Sequence, residues 1–140
     1  MEIGKILIAG AGQMGSGIAQ VSAQAGYSVV MTDIDIEYVE KGIATIERNL
    51  GRAVDKGKIN PEDRVAALSR IETGVDVSAG RDADLFIEAV PEDLSLKLEI
   101  FASAMAALGA NSIMCMLFCT SVKRRANSTV RCSSSNAEGL

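Results

Sequence analysis

The stretch that most constrains this chain is Lys5-Ile6-Leu7-Ile8-Ala9-Gly10-Ala11-Gly12-Gln13-Met14-Gly15, followed by Ser16-Gly17-Ile18-Ala19-Gln20-Val21. A short apolar run leads into glycines spaced G-x-G-x-x-G, and a helical pattern comes next. Strand, glycine turn and helix in that order are the setting in which this spacing signals dinucleotide binding. Gly10 allows the tight turn off the strand, Gly12 lets bare backbone approach a pyrophosphate, and Gly15 lets the helix pack close to the sheet. Gln13 and Met14 open the helix, whose free N–H groups and positive dipole end face the phosphates. Gly10, Gly12, Gln13, Met14 and Gly15 are therefore candidate cofactor-binding residues. Glycines also cluster in purely structural turns, so the reading needs an acidic partner downstream.

The first helix is expected to run to about residue 25, with Gly26 as a left-handed C-cap and Ile18, Val21 and Ala25 as its buried stripe. Residues 27–32 read as a short buried strand that ends in Asp33. Asp33 lies 18 positions after Gly15, close to the spacing at which an acid meets an adenosine ribose. A carboxylate there accepts hydrogen bonds from the ribose hydroxyls and repels a 2′-phosphate. No Arg or Lys occurs after it until Lys41, which favours NAD over NADP. The competing role for Asp33 is a helix N-cap, a position that Asp35 can also fill.

Residues 36–56 form a long helical pattern, with Val39, Ile43, Ile46, Leu50 and Val54 on one face. Arg48, Arg52 and Lys56 are successive i, i+4 neighbours on the other. They read either as a solvated face with intrahelical ion pairs or as a phosphate-binding edge for a second, anionic ligand. Asn60-Pro61-Glu62-Asp63 opens a short helix to residue 68, with an N-cap, Pro at the first position and acids in the first turn. Residues 70–73 fit a short strand and 74–80 a loop. Residues 84–90 are the next strand, stopped by Pro91. Glu92, Leu94, Leu98, Phe101, Met105 and Leu108 mark another helix, closed by Gly109, and residues 113–119 read as one more buried strand. Strands alternating with helices imply βαβ units. The expected fold is α/β, a doubly wound, Rossmann-type, mostly parallel sheet of about five strands with flanking helices. Ligands of such sheets bind beyond the carboxyl ends of the strands. Gly10, Asp33 and the Ala89-Val90-Pro91-Glu92 turn all fall there, so three segments converge on one crevice.

Composition narrows the function further. The 140 residues suffice for one domain with one core, and the net charge of −4 gives no electrostatic footprint for nucleic acid. No signal segment or apolar run of membrane-spanning length occurs, so a soluble, cytoplasmic protein without a membrane partner is expected. Cys115, Cys119 and Cys132 have no C-x-x-C spacing and the chain has no histidine, so no metal site is expected.

Asp82-Ala83-Asp84-Leu85-Phe86-Ile87-Glu88-Ala89-Val90-Pro91-Glu92-Asp93-Leu94-Ser95-Leu96-Lys97 resembles the second signature of the 3-hydroxyacyl-CoA dehydrogenases. Residues 8–19 resemble their first. The resemblance covers roughly residues 3–115 and is strongest to the bacterial 3-hydroxybutyryl-CoA members. It implies NAD-dependent interconversion of an (S)-3-hydroxyacyl-CoA and the 3-ketoacyl-CoA, with 3-hydroxybutyryl-CoA and acetoacetyl-CoA as the substrate pair. It also implies that Ala89, Val90, Glu92 and Lys97 contact the cofactor, and that Asn49 and Lys56 contact coenzyme A. From the residues alone, Glu92 is a helix N-terminal acid and Lys97 a solvated lysine. The Glu88-Ala89-Val90-Pro91-Glu92 segment speaks against another kind of β-hydroxyacid dehydrogenase.

The family continues with an Asn-Thr-Ser-Ser segment bearing a catalytic serine, a His-Phe-Phe-Asn-Pro-like segment bearing the catalytic histidine, a glutamate and a helical dimerisation domain. Here the chain reads Met116-Leu117-Phe118-Cys119-Thr120-Ser121-Val122-Lys123-Arg124-Arg125 and ends at Leu140. The register does not transfer the serine to Ser121, and no catalytic residue is assigned. Residues 1–118 are therefore expected to be the NAD-binding domain. Residues 119–140 would be a divergent, poorly ordered tail, either a frameshifted or prematurely ended reading frame or a genuine divergence. The helical dimerisation domain is expected to be absent, exposing apolar surface around Phe101 and the last strand. The activity expected of the chain alone is cofactor binding with little turnover; the alternative is a non-catalytic NAD-binding module.

Overall fold

The computed structural model describes residues 2–116. The expected tail, residues 119–140, and the end of the expected strand 113–119 lie outside the described residues. The elements in chain order are β1 (Lys5–Ala9), α1 (Gln13–Gln24), β2 (Ser28–Thr32), α2 (Ile36–Asp55), α3 (Pro61–Ser69), β3 (Ile71–Gly74), a 3-10 turn (Val77–Gly80), β4 (Leu85–Glu88), α4 (Leu94–Ala107) and β5 (Ile113–Met116).

The five strands form one sheet in the order β3-β2-β1-β4-β5, with every pairing parallel. The chain winds outward from β1 in both directions, so the order reverses between β1 and β4. Alternating side chains of β1 feed two cores. Ile6 and Ile8 join α1, α2 and α3 residues such as Ala19, Ala23, Ile46 and Leu50 on one face. Leu7 and Ala9 join Phe86, Ala104 and Leu108 on the other, beside α4. The expected doubly wound α/β fold is what the chain adopts. Among the described residues, no helix is long and apolar enough to cross a membrane.

Local chemistry sets the element ends. Gly26 comes after α1 at φ +101°, Asp35 caps α2 by accepting from the Glu37 N–H, and Asp93 caps α4 by accepting from the Leu96 N–H. Asp63 reaches back to the Asn60 N–H to start α3. At the end of the sheet remote from the glycine turn, the Asp84 carboxylate accepts from the Gly4 and Lys5 N–H groups. Those two donors hold its pKa below the usual carboxylate value.

Two expected stripes are corrected. Helix α1 buries Gly15, Ser16, Ala19 and Ala23, while Val21 is 60% exposed and Ala25 is exposed. Of the expected stripe, Ile18 packs partly buried against the core, while the fully buried face of the helix consists of small residues, which fit its close approach to the turn at Gly15. Helix α4 likewise buries Lys97 and Ala104, whereas Leu94, Leu98 and Met105 are more than half exposed. Its apolar residues surround the helix, so their spacing alone does not select a face. Phe101 itself is half-buried, edge-on to Phe86 at 6.2 Å between ring centroids, while apolar surface is exposed around it at Leu94, Leu98 and Met105 and, on the last strand, at Ile113. Among the described residues β5 is the outermost strand on its side, and the strand expected to be buried is only partly so: Ile113 is exposed, whereas Met114 packs against the core.

Candidate active site at the carboxyl edge of the sheet

The turn after β1 is held between its two neighbouring strands. The Gly10 N–H donates to the Thr32 carbonyl at 2.7 Å, and the Thr32 hydroxyl donates to the Ile8 carbonyl. On the other side, a Cβ at Gly10 would lie 2.5 Å from the Ala89 carbonyl oxygen, and its φ is +112°. Only glycine satisfies both conditions. One turn later, a Cβ at Gly15 would lie 1.8 Å from the Gly10 carbonyl oxygen, so α1 packs directly on the turn that precedes it. Gly12 differs: no atom lies within 4 Å of a Cβ placed there. The space above Gly12 is open, as close approach by a ligand requires.

Helix α1 starts at this open space with neither a side-chain cap nor an acid in its first turn, unlike α2, α3 and α4. Its first N–H groups therefore lack the acceptor that Asp35, Asp63 or Asp93 supplies elsewhere, and they suit a phosphate. Asp33, at the end of β2, accepts from the Ala11 N–H at 2.8 Å and from the Ile34 N–H at 2.7 Å. It thus ties the glycine turn to β2, while each carboxylate oxygen keeps lone-pair capacity for a ligand. Asp35 takes the N-cap role, which resolves the competition between the two acids.

A cleft of about 960 Å³ runs over this edge. Gly10, Gly12, Gln13, Met14, Asp33, Ala89, Val90 and Glu92 all line it, and Asn49 stands on its far wall with Tyr38, Lys41 and Arg48. A smaller pocket of about 160 Å³ adjoins Asp33, walled by Val75, Val77, Val90 and Ile100. The three segments expected to converge do converge. Gly15 is buried beneath the turn and shapes the cleft without lining it. Lys56 is not brought in: it is the exposed C-cap of α2, beyond the turn of helix that faces the cleft. The basic residues that line the cleft are Lys41 and Arg48, which the sequence marked as a NADP argument and as part of the stripe respectively.

Lys97 is the largest departure. It is 1% exposed, not a solvated lysine, and is not among the residues lining the cleft. Its Nζ donates to both oxygens of the buried Glu88 carboxylate, at 3.0 and 2.9 Å, and to the Val90 carbonyl at 3.4 Å. Glu92 lies 3.7 Å from the same ammonium. Sequence reasoning overlooked Glu88, whose signal was a charge inside an otherwise apolar strand.

The model of the family described as "3-hydroxyacyl-CoA dehydrogenase, NAD binding domain" matches residues 5–122. The chain belongs to that family. NAD is accordingly the cofactor of this 3-hydroxyacyl-CoA dehydrogenase NAD-binding domain. It is similar to a probable 3-hydroxybutyryl-CoA dehydrogenase of Bacillus subtilis, at 41% identity over 72% of this chain and 35% of that protein. It is also similar to a 3-hydroxybutyryl-CoA dehydrogenase of Bradyrhizobium diazoefficiens, at 40% identity over 80% of this chain and 38% of that protein. Among solved structures, (S)-3-hydroxybutyryl-CoA dehydrogenase PaaH1 of Ralstonia eutropha superposes with a TM-score of 0.80, at 37% identity over 82% of this chain and 41% of that one. The domain thus spans between about a third and two-fifths of the length of these relatives.

The glycine geometry separates two kinds of residue in this NAD-binding domain. Gly12→Ala should leave the melting temperature within about 2 °C of wild type, because the added methyl meets nothing among the described residues. The same methyl should weaken NAD binding by about tenfold or more, since it occupies the approach to the turn. Thermal denaturation and calorimetric titration of the one variant check both halves.

Proposed function

We propose that this chain is the cofactor-binding part of an NAD-dependent dehydrogenase that interconverts 3-hydroxybutyryl-CoA and acetoacetyl-CoA, with little turnover by itself. The observation that carries this reading is the convergence of the glycine turn, Asp33 and the 89–92 turn on one cleft, in a chain whose relatives bear that enzyme name. Gly10, Gly12, Gln13 and Met14 offer backbone and the α1 N-terminus to the pyrophosphate. Asp33 accepts from the adenosine ribose hydroxyls, and the apolar pocket beside it suits the base. Ala89, Val90 and Glu92 form the opposite wall, with Lys97 supporting them from inside. Asn49, with Arg48 and Lys41 near it on the cleft wall, offers a polar and cationic surface to the phosphates of an acyl-CoA. Bound NAD supplies hydride transfer. The proton on the 3-hydroxyl requires a base within hydrogen-bond reach. The chain has no histidine, and we assign the base to protein beyond this chain.

Titration of NAD into the purified chain should give saturable binding, with acetoacetyl-CoA and NADH together giving no NADH oxidation above background. Asp33→Asn should raise the NAD dissociation constant by about 10–100-fold, the value of a lost charge-assisted contact of about 1.5–3 kcal/mol. Absence of NAD binding by the wild-type chain would overturn the cofactor site. Rapid NADH oxidation would overturn the assignment of the base elsewhere.

A further inference from the structure

The 89–92 turn is tied to the body of the domain at several points, and the Pro91 carbonyl accepts from the Asp93 N–H. The Ala89 N–H donates to the Ala9 carbonyl, and Pro91 has no N–H to give. Val90 stands between them and lines both the large cleft and the small pocket. Its two main-chain groups are both taken by one buried ion pair. The Val90 N–H donates to Glu88 Oε1 at 2.6 Å, and the Val90 carbonyl accepts from Lys97 Nζ. Glu88 is fully buried at the end of β4 and does not line the cleft. Lys97 reaches it from the first turn of α4, joining the two elements that flank the turn.

We infer that Glu88 is a positioning residue: with Lys97 it fixes Val90, and so the wall that the 89–92 turn presents to the cleft beside the glycine turn. A buried ion pair is a poor source of net stability compared with apolar residues of the same volume. A directional role explains this one, because the same carboxylate and the same ammonium each also hold a main-chain group of Val90. Since the turn abuts Gly10 at a distance that leaves no room for a side chain, displacement of Val90 changes the cleft where the two turns meet. The link to cofactor affinity rests on the NAD site proposed above; the link to Val90 does not.

Glu88→Met keeps the length of the side chain but removes both acceptor oxygens, so the Val90 N–H and the Lys97 ammonium each lose their carboxylate partner. Amide hydrogen exchange of the folded variant should be at least tenfold faster at Val90, with Leu7 and Val30 in the central strands unchanged. The NAD dissociation constant should rise about tenfold. If Glu88→Met does not fold, the paired variant Glu88→Leu with Lys97→Met supplies an apolar core of similar volume, and the same two measurements apply. Unchanged Val90 exchange in either folded variant overturns the inference, as does faster exchange with unchanged NAD affinity. If the wild-type chain does not bind NAD, the proposed site fails, and Val90 exchange alone decides whether the pair fixes the turn.

Discussion

Gly15→Ala should cost about 3 kcal/mol of stability, lower the melting temperature by roughly 10 °C, and abolish NAD binding. The added methyl would stand 1.8 Å from the Gly10 carbonyl oxygen and 2.7 Å from its carbon. Neither is the flexible end of a side chain, so backbone must move. Gly10 has nowhere to go: its own α-carbon faces the Ala89 carbonyl, and its N–H is committed to Thr32. Three segments are stacked without slack, α1 on the glycine turn and the glycine turn on the 89–92 turn. A shift at one end therefore passes to the other, and the cleft loses its shape along with its stability. Thermal denaturation with calorimetric titration checks the pair of effects. Retention of wild-type affinity would show that the stack has more tolerance than these distances allow.

Lys97→Met should destabilise the domain by about 3–5 kcal/mol, because the Glu88 carboxylate would remain buried without its counter-charge. For a domain whose total stability is about 5–15 kcal/mol, that loss brings many of the molecules close to unfolding at ordinary temperature. Adding Glu88→Leu to Lys97→Met should recover most of the loss, since it removes the stranded charge. Urea midpoints for wild type, single and paired variants give the comparison. A single variant as stable as wild type would mean that water reaches the carboxylate, contrary to its full burial.

The segments that build the cleft were legible because glycine, proline and acid punctuation is local. The G-x-G-x-x-G turn, Asp33 and the Pro91 stop each depend on a few adjacent residues, and apolar runs between them marked β1, β2, β4 and β5, while β3 (Ile71–Gly74) is short and largely polar. Burial around each helix was less legible. Val21 and Ala25 share a helical spacing with truly buried residues, but only the approach distance of α1 to the sheet decides that Ala19 and Ala23 face inward. In α4, Leu94, Leu98 and Met105 are as apolar as the residues beneath them, so the sequence holds no contrast to read. Lys97 misled for another reason. A lysine on a helix is ordinarily solvated, and its burial here depends on Glu88, nine positions away on a different element. Placing either alone gives the wrong environment; the pair is what folds inward. Lys56 fell outside the cleft because helix length carries it past the wall on which Asn49 and Arg48 stand.

The pairing of β1 with β4 has a kinetic consequence. Ile6 lies beside Leu85 in the sheet, so most of the described chain separates the two strands whose ends carry the glycine turn and the 89–92 turn. Neighbours so distant along the chain meet late, after the loop between them has closed. The 89–92 wall beside Gly10 therefore depends on the β1–β4 pairing, whereas the glycine turn and Asp33 need only β1, α1 and β2. A nucleotide that touches both parts binds the paired state more tightly than the open one, and so stabilises the association of β1 with β4.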